Sequence, residues 1–158
     1  MATLEHLVAA GKLKKHDPDL ENDELPVRYV YMTMEVSSWI ATTLRFAKKE
    51  QGLRVTPFEQ VEQRLYEFAI GRRMTYGSMY HPLDPIGHYV WELKTAHVRL
   101  IGWFPRKATF LVVCGCMKSD LLKRADYTPH ILRAVQFRTT LDLDHPKSVT
   151  GVSHNDVL

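Results

Sequence analysis

Three β-forming runs stand one behind another between His88 and Cys116, and they constrain the fold more than any other feature of the chain. They are HYVWELK (His88–Lys94), HVRLIGWF (His97–Phe104) and TFLVVCGC (Thr109–Cys116). Each is rich in branched and aromatic residues, which suit a pleated, half-buried surface. The connections, Thr95-Ala96 and Pro105-Arg106-Lys107-Ala108, have hairpin length. The three runs therefore read as an antiparallel meander.

The flanking segments supply a strand and three helices. VRYVYMTM (Val27–Met34) is again branched and aromatic and reads as a strand. In EVSSWIATTLRFAKKEQG, the residues Val36, Trp39, Ile40, Leu44 and Ala47 fall on one helical stripe, with Gly52 as a stop. Thr56-Pro57-Phe58-Glu59 has the form of a capping box with proline at the first helical position. Phe58, Val61, Leu65, Phe68 and Ala69 then form an apolar stripe that ends at Gly71. Residues 74–88 read as a loop. A last helix is expected from Thr128, as cap, and Pro129 towards Leu141. This order predicts an α+β fold, with a helical hairpin and a C-terminal helix packed on one face of a mostly antiparallel four-stranded sheet.

Charge divides the chain more sharply than its average suggests. The 158 residues carry a net charge of +3, and a chain of that length fits one domain with a sizeable core. Residues 1–26 hold six acids and three lysines, a net of −3, which leaves 18 bases against 12 acids, a net of +6, for the remainder. Residues 1–26 read as a flexible acidic extension, 27–145 as the folded domain and 146–158 as a loose tail. No apolar run is long enough for a membrane span, and Lys12, Lys14 and Lys15 follow rather than precede the first apolar patch, against the order of a secretory signal. The two cysteines, Cys114 and Cys116, fit a reducing cytoplasm and core packing better than a disulfide framework or a zinc site. No metal or cofactor is expected.

Strand alternation sorts the side chains of the meander. Tyr89, Trp91 and Leu93 point one way, with Val98, Leu100 and Phe104. Glu92 and Lys94 point the other way, with His97, Arg99, Ile101 and Trp103. If the helices cover the first side, then Glu92, Lys94, His97 and Arg99 gather on an open face around one tight turn, where Trp103 is the tryptophan expected to be exposed. Two bases, a histidine and a carboxylate so placed could bind and act on a phosphate. The same pattern also fits a solvated face with a cross-strand ion pair. The acids of residues 16–26 could fold back on this basic face.

The stretch from Tyr76 to Arg138 resembles the HigB-type toxins of the RelE/ParE superfamily, in their phage-derived branch. The resemblance lies in Val90-Trp91-Glu92-Leu93-Lys94, in Val98-Arg99-Leu100-Ile101 and in Phe110–Cys116 followed by Met117-Lys118. It continues in Thr128-Pro129 and in Ala134-Val135-Gln136-Phe137-Arg138. It implies a metal-independent mRNA endonuclease, acting free or on the ribosome, with a helix-turn-helix antitoxin or another host protein as partner. Such an enzyme drives the RNA 2′-hydroxyl onto the adjacent phosphate, which needs a proton acceptor, cations and a donor to the leaving oxygen. Carried over by position, Arg99 matches the strand arginine, Lys94 stands where an arginine is usual, and Lys118 matches a lysine. His97 is added from the residue pattern as an acid or base, and Tyr127 as a further contributor. Arg106, Lys107, Lys123 and Arg124 complete the expected RNA contacts. The alternative is a module that binds nucleic acid or a host protein without catalysis.

Overall fold

The computed structural model describes residues 1–124 and 126–158, with the side chain of Arg124 outside the description. The three runs of the meander are strands, labelled here β4 (Trp91–Lys94), β5 (Val98–Arg106) and β6 (Thr109–Met117), and both their pairings are antiparallel. The strand expected near residue 30 is β2 (Tyr29–Thr33), and it pairs with β6 in parallel. Two short strands, β1 (Leu13–Lys15) and β3 (Tyr80–Pro82), add themselves antiparallel at the two edges. The result is a single mixed six-stranded sheet in the order β1-β2-β6-β5-β4-β3, not a mostly antiparallel sheet of four strands. The α+β class holds.

Helices lie on both faces of the sheet. On one face, α2 (Met34–Thr42) and α3 (Pro57–Ala69) pack over Val30, Met32, Trp91, Leu93, Leu100, Phe104 and Val112. Thr56 and Glu59 form the anticipated capping box on α3, each side chain bonded to the other's backbone N–H. The expected long first helix instead stops at Thr42 and continues as a 3₁₀ turn over Leu44–Phe46.

On the other face, α1 (Leu4–Ala9) and α5 (Thr128–Thr140) cover Tyr31, Ile101, Trp103, Leu111 and Val113. The sheet therefore has no open face of the kind expected. Trp103 is fully buried and donates its indole N–H to the Lys147 carbonyl at 2.8 Å. The α5 N-terminus is also capped differently, since Asp126, rather than Thr128, accepts a backbone bond, from the Thr128 N–H at 2.8 Å. Lys118, Lys123 and Arg124, expected as RNA contacts, belong to a short helix, α4 (Lys118–Arg124).

Both chain ends join the core instead of hanging loose. Leu4, Leu7 and Leu13 are buried within the segment expected to be a flexible extension. Its acidic stretch lies beside α3, where Glu24 accepts a hydrogen bond from the Tyr66 hydroxyl, and not on the face of Lys94 and Arg99. At the C-terminus, Val157 of α6 (His154–Val157) is fully buried and its carbonyl accepts the Ala108 N–H at 2.7 Å. Among the described residues, no helix is long and apolar enough to cross a membrane.

Candidate functional site

Cross-strand register brings the polar residues of the meander to one end of the sheet. His81 pairs with Glu92, Lys94 with Arg99, and Arg99 with Cys116, so these side chains share a face. It is the face of Ile101 and Trp103, as alternation requires. There α5 closes the half of the sheet around Trp103, while the end near the β4–β5 turn stays accessible as a cleft of about 470 Å³. His81, Glu92, Lys94, Arg99 and Tyr127 line it, with Asp84 among the residues beside them.

Glu92 stands at its centre and is only 2% exposed. Its Oε1 lies 2.7 Å from His81 Nε2 and 3.9 Å from Lys94 Nζ, and its Oε2 lies 3.7 Å from Arg99 Nε. That Oε2 has no hydrogen-bond partner among the described residues, an arrangement that costs free energy unless something donates to it. His81 faces oxygen on both sides, with Nδ1 2.8 Å from the Pro82 carbonyl. A carbonyl can only accept, so Nδ1 donates to it, and Nε2 is left facing the Glu92 carboxylate.

Arg99 is largely committed to the turn it follows. Its Nη1 donates to the carbonyls of Thr95 at 2.6 Å and Val98 at 3.0 Å. These bonds hold the guanidinium beside the cleft with little freedom to swing. Tyr127 closes the cleft from the segment before α5. Burial, and next the charge of Glu92, push its phenol up to about 12, with Arg99 acting in the opposite sense. It is a neutral donor at physiological pH.

His97 is not part of this cleft. It precedes Val98, the first residue of β5, so strand alternation does not extend to it. Its backbone N–H donates to Gln60 Oε1 on α3 at 3.1 Å, and Gln60 Nε2 donates to its Nδ1 at 3.0 Å. The remaining nitrogen, Nε2, donates to Glu50 at 2.9 Å. His97 therefore braces the turn against the helical hairpin, on the opposite face.

The other expected contacts also scatter. Lys118 is exposed at the start of α4, outside the lining of the cleft, and its N–H donates to the His97 carbonyl at 2.7 Å. Lys123 lines a separate depression with Cys116, Asp120 and Asp126. Arg106 ends β5, eight residues beyond Val98 and so roughly 26 Å away along the strand. It pairs there with Glu5 at 3.0 Å, and Lys107 bonds the Asn155 carbonyl at 2.8 Å. The Arg124 side chain lies outside the described residues. Burial pushes the Cys114 and Cys116 thiols up to about 11 and about 12, which suits packing. No group of three metal-ligating side chains exists among the described residues.

Sequence reasoning missed His81, because residues 74–88 carry loop signals and β3 has only three residues. Its one signal was a tyrosine-histidine pair between Gly77 and Pro82, too short to show a period. Comparison of the chain with protein-family models, with curated proteins and with solved structures returns no match in any of the three.

Proposed function

We propose that the protein acts on RNA, as a metal-independent endonuclease of the HigB and RelE type with a protein antitoxin as its partner. The observation that carries this reading is the cleft itself, where Lys94, Arg99 and the His81–Glu92 pair meet within one half-buried space. Lys94 and Arg99 are its two permanent cations, against Glu92 at the centre and Asp84 at the margin, and they offer charged donors to an anion of phosphodiester size. In the reaction, the 2′-oxygen attacks phosphorus and the bond from phosphorus to the 5′-oxygen breaks. Glu92, through the Oε2 that has no hydrogen-bond partner among the described residues, takes the proton of the 2′-hydroxyl while His81 holds its other oxygen, Lys94 and Arg99 stabilise the crowded phosphate, and Tyr127 donates towards the leaving oxygen. His81, not His97, is the histidine of this cleft, and it positions the Glu92 carboxylate.

The test is incubation of purified protein with mRNA, with and without ribosomes. Cleavage leaving 2′,3′-cyclic phosphate ends is expected, and Lys94→Ala should abolish most of it. RNA left intact under both conditions, with Arg99→Ala no less toxic on expression, would overturn the nuclease. A second reading, a module that binds RNA or a host protein without cutting, is favoured by the bonds that tie Arg99 to Thr95 and Val98, since a guanidinium so committed offers less of its fork to phosphate.

A further inference from the structure

The connection between α2 and α3 presents an aromatic ring and four bases to solvent. Phe46 is 76% exposed, although Leu44, two residues earlier on the same 3₁₀ turn, is 1% exposed. Leu44 thus anchors the turn while Phe46 is held outward. Arg45, Lys48, Lys49 and Arg54 are all exposed, against the single acid Glu50 in the same stretch. Among the described residues, none of these four bases forms an ion pair within 4 Å. Arg45 stands over the Phe58 ring at 5.0 Å, which leaves Phe46 as the unoccupied ring.

This connection touches the turn that carries the cleft. Glu50 accepts from His97 Nε2 at 2.9 Å, and the Thr95 carbonyl of the same turn accepts from Arg99 at 2.6 Å. A basic, aromatic surface therefore begins one turn away from the cleft, on the other side of the sheet edge. A solvent-held phenyl ring costs solvation and gains nothing from the fold, and surrounding it with unpaired bases would repel most protein surfaces except acidic ones. Single-stranded nucleic acid meets both requirements, because a base stacks on the ring while neighbouring phosphates meet the cations.

We propose that this connection is a second contact for single-stranded RNA, with Phe46 stacking on a base and Lys48, Lys49 and Arg54 holding phosphates. The inference rests on RNA being the partner of the cleft, and it extends the bound strand around the β4–β5 turn. The probe is a fluorescein-labelled 2′-O-methyl RNA oligonucleotide, which cannot be cleaved by 2′-hydroxyl attack, followed by anisotropy across a salt series. Phe46→Ala should weaken binding about 5- to 150-fold, the range of a lost base stack. Phe46→Trp should bind as tightly as the parent, and Phe46→Leu as weakly as Phe46→Ala. The triple variant Lys48→Ala/Lys49→Ala/Arg54→Ala should reduce the slope of log K against log salt by about 2, at roughly 0.7 per phosphate contact.

Lys94→Ala, measured beside them, separates the two readings. If it weakens binding while the Phe46 and triple variants bind like the parent, the connection is not an RNA contact and the inference fails alone. If the connection variants weaken binding and Lys94→Ala does not, the inference stands and the cleft is not the RNA site. A parent protein that leaves the oligonucleotide free overturns both. Full affinity in Phe46→Leu overturns the stacking role.

Discussion

Two histidine–glutamate pairs flank the β4–β5 turn, one on each face of the sheet, and they differ in almost everything but distance. His81 meets Glu92 at 2.7 Å and His97 meets Glu50 at 2.9 Å. The Glu92 side chain is 3% exposed and sits beside Lys94 and Arg99, whereas that of Glu50 is 62% exposed. The first pair is held in a low-dielectric cleft where charge interactions are strong; the second is screened by water. A short contact between the same residue types is therefore no guide to function. What separates the pairs is the company of other charges and the exclusion of solvent.

The sharpest way to break this comparison is to remove each acid. Glu92→Ala leaves Arg99 and His81 without their buried counter-charge and should cost about 3–5 kcal/mol of stability in urea unfolding. A loss as small as that of a surface pair would show that the cleft is wetter than its burial implies. The next effect is on activity. Lys94→Ala should slow RNA cleavage about 10²- to 10³-fold, in line with the loss of one group that stabilises developing charge. His97→Asn should leave the cleavage rate unchanged. Equal losses from the two variants would place both faces in one site.

Alkaline pH gives a third test. The Tyr127 phenol rises from 10.0 to about 12, and burial drives Tyr31 and Tyr80 up to about 12 as well. A folded state that binds these protons more tightly than the unfolded chain gains stability that is complete below pH 10. It is lost as the pH rises through 12. Tyr127→Phe should therefore lose less stability than the parent between those values, in unfolding curves taken along a pH series. The smallest effect belongs to Glu50→Ala, expected at under about 1 kcal/mol and detectable as a small shift in the urea midpoint.

Local pattern made part of the site legible. Period-two alternation put Glu92, Lys94 and Arg99 on one face, because strand geometry leaves a side chain no other choice. It failed at His97, one residue before β5 begins, where the backbone turns and Gln60 captures the ring. It also overreached in treating that face as open. Ile101 and Trp103 on the same face are apolar, and α5 covers them, so only the end beyond its reach remains a cleft. The basic residues Arg106 and Lys107 looked like neighbours of the site because the chain is basic there, yet strand length carries them to the far end of the sheet. The acidic residues 16–26 carry no periodicity, and nothing local distinguishes a tail from a segment held by Tyr66.

The sequence by itself determined the meander, the alternation of its faces and the capped start of α3, because each rests on covalent geometry, on connections of hairpin length or on hydrogen bonds between residues three positions apart. Tertiary structure alone decided the rest. The strands β1 and β3 have three residues each and no period of their own; they exist because a longer neighbour supplies their hydrogen bonds. The parallel pairing of β2 with β6 depends on the whole intervening chain. His81 enters the cleft only through the pairing of β3 with β4, and Tyr127 only through the docking of α5. The charges that make the site are near one another in sequence, but the solvent exclusion that gives them strength is built by segments distant from them.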